Sequence, residues 1–347
     1  MRIRINARNR GFQFDAAPGE AVLYAGLAAG IDLPYECATG TCGTCKAKLV
    51  DGTLRDTWPD APGRKYVKPA QSEYLMCQCV AEGDLTLEVA KFVKPLEPGA
   101  SRAAAGAGLL RSPALLVHDV MAFDVEVEEP RDFEAGQFMV LAAPGVRGHR
   151  AYSMVNYERG ARRLRFVAKK KPGGVFSEWL FGTAKDGAAL RVFGPLGKAT
   201  FQPGIANDLV CIAGGSGIAG MMSILERAAG EGYFDTHRGW LFFGVRTLAD
   251  AFFLEELAVL RERAAGRLAI TVALSDEAVP PDAARRWPGL AFEQGFVHEV
   301  AGRALQGHYR DIRAYVAGPP PAVDAALRLL LLEGKLTADN IRYDKFS

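Results

Sequence analysis

PYECATGTCGTCKAKL (residues 34–49), followed further on by YLMCQC (residues 74–79), decides what the N-terminal part of this chain can be. Cys37, Cys42 and Cys45 stand in a C-x4-C-x2-C pattern, and 31 residues separate Cys45 from Cys77. This is the spacing with which four thiolates hold two irons in a plant-type [2Fe–2S] centre. Three sulfurs from one tight loop converge only if the backbone between them bends sharply. Ala38, Thr39, Gly40, Thr41, Gly43 and Thr44 are small enough to allow that, and glycine accepts strained angles. A zinc site or buried structural thiols are the competing explanations. Zinc sites usually pair cysteines as two C-x2-C units or mix in histidine, and the second pair is missing here.

A chain of 347 residues exceeds one ordinary core, so two or three domains are expected. Hydrophobic content of 49% and charged content of 24% are those of a globular protein. A formal charge of +2 gives no reason to expect nucleic acid or a membrane surface as partner. No apolar run approaches transmembrane length, and MRIRINARNRGFQF lacks the apolar centre of a signal peptide. Six cysteines without such a signal fit a reducing compartment, so a cytoplasmic protein is expected, with monomer as the default state. Cys79 and Cys211 read as small buried hydrophobes.

Residues 1–95 read as short strands around one helix. MRIRINA and FQFDA suggest a hairpin turning at Arg10-Gly11, and AVLYAGLAAG a helix ended by Gly30. Residues 96–110 are rich in Pro, Gly, Ala and Ser without an apolar period and read as a linker. Between 111 and 204, short alternating segments punctuated by glycine and proline suggest an antiparallel barrel, with GVFSEWLFGTA its one helix. From 205 to 347, apolar runs such as DLVCIAGG and RLAITVALS alternate with helical segments. That rhythm predicts βαβ units and a parallel sheet.

Three short runs carry chemistry in this background. Gly214-Gly215-Ser216-Gly217 follows a strand-like run and opens a helix, where backbone N–H groups and the positive helix end suit a pyrophosphate. A tight turn without a ligand is the plain alternative, and the spacing is not the G-x-G-x-x-G of dehydrogenases. Arg150-Ala151-Tyr152-Ser153 combines a guanidinium for phosphate, an aromatic face for a planar ring and a hydroxyl donor; alone it would pass for a barrel strand with an exposed arginine. Gly173, Gly174, Val175 and Ser177 form a second glycine loop before a helix.

Nine stretches in order (PYECATGTCGTCKAKL, RAYSMVN, KKPGGVFSEWL, FGPLG, CIAGGSGIAG, FFGVRT, GFVHEV, AYVAGPPPAVDAA and IRYDKFS) resemble the reductase components of bacterial multicomponent oxygenases. These belong to the ferredoxin–NADP⁺ reductase-like superfamily with an N-terminal ferredoxin domain. TWPDAPG (57–63) is shared in spirit with the reductases of carbazole-type dioxygenases and toluene- or alkene-type monooxygenases. The resemblance implies an α+β (β-grasp) ferredoxin domain, an antiparallel barrel for FAD and an α/β parallel-sheet domain for NAD. It implies that Arg150 and Ala151 lie along the FAD, with Arg150 on its pyrophosphate, that Tyr152 stacks on its ring and that Ser153 bonds near N5. Val167 and Lys169 fall on the strand beside it, and Gly173, Gly174, Val175 and Ser177 match the second FAD phosphate loop. Gly214, Gly215, Ser216 and Gly217 match the dinucleotide loop, Gly244 and Arg246 the adenosine side, Gly318 and Pro319 the nicotinamide side. Phe346 matches an aromatic near the flavin. Tyr152, Ser153 and Phe346 would thus sit where hydride is exchanged. Three positions depart from the pattern: Gly220 and Ala135 where proline is common, and Ala317 where cysteine is common.

A nicotinamide gives up two electrons as hydride, whereas an iron–sulfur centre takes one, so FAD is the implied converter and the protein's task is positioning. NADH is expected over NADPH, because in GVRTLADAFFLEEL Arg246 is the one cation and Asp250, Glu255 and Glu256 follow. His118, His149, His237, His298 and His308 are scattered and form neither a Rieske pair nor a Glu-x-x-His motif, so the oxygenase itself is a different polypeptide. The acceptor is expected to be that oxygenase or its intermediary ferredoxin. A stand-alone NADH:acceptor reductase and a non-enzymatic redox module are the alternatives, and intact RAYS and GGSG runs disfavour the second.

Overall fold

The computed structural model describes residues 1–346. β1 (Arg2–Ala7) and β2 (Gly11–Asp15) form the hairpin, closed by the Ala7 amide donating to the Arg10 carbonyl. Ile3 and Ile5 point inward and Arg2 and Arg4 outward, the period of two of a half-buried strand. α1 (Val22–Ala28) buries Val22, Leu23 and Leu27 and stops at Gly30, whose φ of +78° favours glycine. β3 (Ile31–Asp32), β4 (Lys46–Asp51), β5 (Leu54–Asp56), β6 (Glu73–Leu75), β7 (Cys79–Ala81), β8 (Leu85–Val89) and β9 (Lys94–Pro95) complete this part. The main sheet runs β2-β1-β8-β4-β6, with β8 parallel to β1; β5 pairs with β7 and β3 with β9. The cysteine loop joins β3 to β4.

The second part is one antiparallel sheet of β10 (Ala104–Val117), β11 (Val120–Arg131), β12 (Phe138–Ala142), β13 (Arg150–Ser153), β14 (Ala161–Lys169) and β15 (Ala189–Leu196), with α2 (Val175–Gly182) before the last strand. Its order is β13-β12-β15-β10-β11-β14. It curls into a half-barrel, and the Val155 amide just past one edge strand donates to Arg165 on the other at 2.8 Å. The linker expected over 96–110 needs correction, because residues 104–110 are already the first half of β10. Ala104–Leu109 pair with β15 from Gly194 to Ala189. The small residues that hid this strand are there because neighbours fill the space. A Cβ on Gly108 would lie 2.7 Å from Val125 Cγ1, and one on Gly106 would lie 2.1 Å from the Arg131 guanidinium.

The third part is a parallel sheet of β16 (Asp208–Gly214), β17 (Gly239–Val245), β18 (Leu268–Leu274), β19 (Ala291–Gln294), β20 (Ile312–Gly318) and β21 (Ile341–Lys345), in the order β19-β18-β17-β16-β20-β21. Helices α3 (Ile218–Gly230) and α4 (Leu254–Arg263) cover one face, and α6 (Val297–Ala304) and α7 (Pro320–Arg328) the other; α5 (Ala283–Arg286) is a single turn. Winding reverses between β16 and β20, and a ligand crevice forms at the carboxyl ends of strands at such a reversal.

The three parts share cores. Phe138, Val140, Phe193 and Leu196 of the half-barrel pack with the N-terminal core, and Val120, Ala135, Val155 and Val167 pack with α3 and its sheet. Polar ties reinforce the second seam: Gly136 N–H to Ser223 Oγ at 2.9 Å, and Tyr315 O–H to the Thr200 carbonyl at 3.0 Å. Cys79 and Cys211 are buried, as expected of small hydrophobes.

Candidate functional site

The cysteine loop brings its four sulfurs together and aims backbone amides at them. Cys45 Sγ and Cys77 Sγ are 3.2 Å apart. The amides of Thr39, Thr41 and Cys42 point at Cys37 Sγ at 3.4, 3.3 and 3.4 Å, and those of Cys37 and Thr44 at Cys42 Sγ, both at 3.5 Å. Such a cage is built for anionic sulfur. The Cys42 thiol donating to Cys37, aided by the Thr41 and Thr39 groups and opposed by burial, brings the Cys37 thiol down to about 4. Ala38, Gly40 and Gly43 adopt positive φ of 57°, 90° and 77°, and at Gly43 a Cβ would strike the Tyr66 ring at 2.6 Å. All-sulfur donors, five amides and no histidine fit an iron–sulfur centre and not zinc.

Two contacts that sequence did not single out hold this loop. Tyr24 donates its hydroxyl to the Ala38 carbonyl at 2.9 Å, stacks on Phe193 at 4.4 Å and meets His149 edge-on at 5.7 Å. Gln78 Nε2 lies 3.7 Å from Cys77 Sγ, beside which it stands in the chain. Nothing local marks Tyr24, since it is one apolar position of α1 among several.

Arg150-Ala151-Tyr152-Ser153 is strand β13 itself, at the sheet edge, paired with Leu141, Val140, Met139 and Phe138. Arg150 holds its guanidinium 5.8 Å from the Trp58 ring of the N-terminal part and bonds the His149 carbonyl at 2.8 Å. Tyr152 is fixed by Phe123 and Phe176, at 5.9 and 5.5 Å, and burial raises its phenol well above the usual range. Ser153 is buried; Gly220 of α3 faces it, and a Cβ there would lie 3.6 Å from Ser153 Cβ. The departure at Gly220 therefore keeps space beside Ser153. Val167 is buried against α3's core, whereas Lys169 is drawn to Asp119 at 2.9 Å.

Gly173 has φ +71° and open space where a Cβ would be, and Gly174 caps α2, with Val175 exposed beside it. Ser177, by contrast, is turned back into its own loop, accepting from Lys171 N–H at 3.1 Å. Glu178 Oε1 accepts from Gly173 N–H at 2.8 Å. The dinucleotide loop lies at the reversal between β16 and β20. Gly215 has φ +51° and open space; a Cβ on Gly217 would lie 2.3 Å from the Ala317 carbonyl, and one on Gly318 2.9 Å from the Gly214 carbonyl. Ser216 sits between Gly215 and Gly217 in the turn, and Pro319 leads into α7. Phe346 joins them, its N–H donating to the Gly318 carbonyl at 2.9 Å. Gly244 is glycine for packing, since a Cβ would meet Val297 at 2.6 Å. Arg246 pairs with Asp250 at 3.6 Å. Strand β13, the loops after β16 and β20, and Phe346 thus border one crevice, with open cradles at Gly173 and Gly215 that fit phosphates.

The N-terminal loop abuts that crevice. Gly197 N–H donates to Tyr35 Oη at 3.1 Å, and Lys198 pairs with Asp32 at 2.8 Å. A cavity of about 260 Å³ lies between Tyr35, Glu36, Phe138, Lys198 and β21, where Asp344 faces Glu36. Burial, and secondarily Glu36, push the Asp344 carboxyl up to about 7.

A fold and site of this kind define an electron-transfer flavoprotein with its own iron–sulfur domain. Residues 5–82 match the 2Fe-2S iron-sulfur cluster binding domain family, 108–201 the oxidoreductase FAD-binding domain family and 211–328 the oxidoreductase NAD-binding domain family. A ferredoxin–NAD(P)(+) reductase of Metapseudomonas resinovorans is 36% identical, covering 94% of this chain and 95% of its own. The ferredoxin–NAD(+) reductase component of the alkene monooxygenase system of Xanthobacter autotrophicus is 35% identical over 97% and 99%. The solved ferredoxin reductase in carbazole 1,9a-dioxygenase superposes with a TM-score of 0.82, at 32% identity, over 100% of this chain and 99% of that one. This chain belongs to the ferredoxin–NAD(P)⁺ reductase family in which [2Fe–2S], FAD-binding and NAD-binding domains share one polypeptide, and it is an NADH-dependent iron–sulfur flavoprotein oxidoreductase.

Proposed function

We propose that this protein is the reductase component of a multicomponent aromatic or alkene oxygenase, taking electrons from NADH and delivering them to the oxygenase or to its intermediary ferredoxin. The names of the relatives support that assignment: besides those above, the xylene/toluene monooxygenase electron transfer component of Pseudomonas putida is 31% identical over 93% of this chain. FAD would supply the conversion of a hydride donor into single electrons, and the [2Fe–2S] centre would carry them one at a time. Cys37, Cys42, Cys45 and Cys77 hold the irons, and the surrounding amides stabilise negative charge on sulfur. Arg150 holds the FAD phosphates with the open amides at Gly173 and Gly174, and Tyr152 and Phe346 flank the ring. Gly214 to Gly217 and Gly318-Pro319 hold the nicotinamide dinucleotide. No helix among the described residues is long and apolar enough to cross a membrane; we take the protein to act as a cytoplasmic monomer.

The observation that carries this proposal is the docking of the cysteine loop on the flavin strand, through Tyr35 to Gly197, Trp58 to Arg150 and Tyr24 to His149. In the holoenzyme, Cys42→Ser should keep NADH-dependent ferricyanide reduction and lose reduction of cytochrome c. Equal loss of both activities would count against the cluster as the exit.

A further inference from the structure

What covers each cysteine narrows the way out of the cluster loop. Cys45 and Cys77 are each 2% exposed. On the Cys37 side, Tyr35 and Glu36 border the cavity shared with the half-barrel and β21. The half-exposed stretch Thr41 to Thr44, which holds Cys42, is what remains.

One turn lies on that stretch. Gly63 N–H, in the 3₁₀ turn Pro62–Tyr66, donates to the Gly40 carbonyl at 2.8 Å, and the Tyr66 ring covers Gly43 while staying 52% exposed. The run from 59 to 72, PDAPGRKYVKPAQS, carries four cations and one carboxylate, Asp60. Arg64 is tied to Asp56 at 2.8 Å. Glu73, just beyond, is held by Lys46 at 3.3 Å. Lys65 and Lys68 are exposed and form no ion pair among the described residues, and Lys65 Nζ lies 5.0 Å from the Tyr66 ring centre. Residues 1–95 as a whole balance twelve Lys and Arg against eleven Asp and Glu, so this positive field is local to the cluster's open side.

We propose that the electron-accepting protein docks here, seating on Tyr66 and meeting Lys65 and Lys68 with carboxylates around its own acceptor centre. The partner is therefore a protein whose electron-entry face is acidic. Exposed tyrosine suits the centre of such an interface, and unpaired lysines at its rim set association rate more than affinity. The inference rests on the cluster being the exit for single electrons.

The test uses NADH-reduced holoenzyme with two haem acceptors of opposite surface charge, the soluble domain of cytochrome b5 (acidic) and cytochrome c (basic). For the unaltered protein, kcat/KM toward cytochrome b5 should fall as ionic strength rises. K65E/K68E should lower that kcat/KM at least about tenfold at low salt, raise kcat/KM toward cytochrome c, and leave ferricyanide reduction and the cluster spectrum unchanged. Unchanged rates toward both haem proteins would overturn the proposal, as would a concentration-dependent self-association that K65E/K68E abolishes without altering either rate. Cys42→Ser run alongside separates the two failures: if it still reduces both haem proteins, the cluster is not the exit at all.

Discussion

At the scale of single residues, glycines at the two NAD-side loops divide into kinds that sequence treats alike. Gly217 has no room, because its missing Cβ would press on the Ala317 carbonyl at 2.3 Å, whereas Gly215 faces open space and is constrained only by φ +51°. Gly217→Ala should push the ends of β16 and β20 apart and raise KM for NADH by at least about tenfold, the scale of a backbone displacement near 1 Å. Gly215→Ala should cost about 1 kcal/mol of backbone strain and a smaller KM change. Steady-state kinetics on both variants with FAD content held equal checks the order, and a larger KM effect at 215 would refute it. The cysteine motif was legible because ligation imposes its spacing locally. Ser177 was legible as part of a loop but not in its role as an internal cap, since which partner a hydroxyl takes depends on how the turn closes.

At the scale of elements, β10 shows how a strand escapes notice. Its first half is built of Ala and Gly, which give no apolar period, yet crowding by Val125 and Arg131 is the reason for those residues. Gly108→Val should destabilise by about 1–3 kcal/mol through overpacking, read as a lowered Tm. An unchanged Tm would mean that the strand is not packed there. β21 offers a pH-dependent prediction. Asp344 binds its proton more tightly in the folded chain than unfolded, so its contribution is complete below the ordinary carboxylate range and is lost as pH rises through about 7. Asp344→Asn should flatten the fall of Tm between pH 5 and 8 and raise Tm at pH 8 by the equivalent of about 1–2 kcal/mol, the half-buried side chain keeping the effect below the full value. A variant whose Tm falls as steeply as the parent's would exclude the carboxyl as the cause.

At the scale of the whole molecule, the seams between parts position the site. Arg227 on α3 is 6% exposed on its side chain, bonds Glu134 of the half-barrel and Glu231, the latter at 2.8 Å, and lies 4.8 Å from the Tyr157 ring. Arg227→Ala removes the ion pairs and the packing of the stem, so it should cost about 2 kcal/mol and loosen the NAD-binding part. Arg227→Met keeps most of the stem and should cost less. Thermal unfolding of the two variants distinguishes them, and equal losses would place the whole effect in charge.

The amino-acid sequence alone determined the three-part order, the four iron ligands and the glycine loops, because each depends on spacing within a few residues or on local alternation. Only tertiary structure decided that Tyr24 and Trp58 clamp the cysteine loop to the flavin strand, that Asp344 faces Glu36, and that Lys65 and Lys68 flank the open side of the cluster. Those pairs are joined by packing between surfaces far apart in the chain, and no periodicity in a sequence records which surfaces will meet.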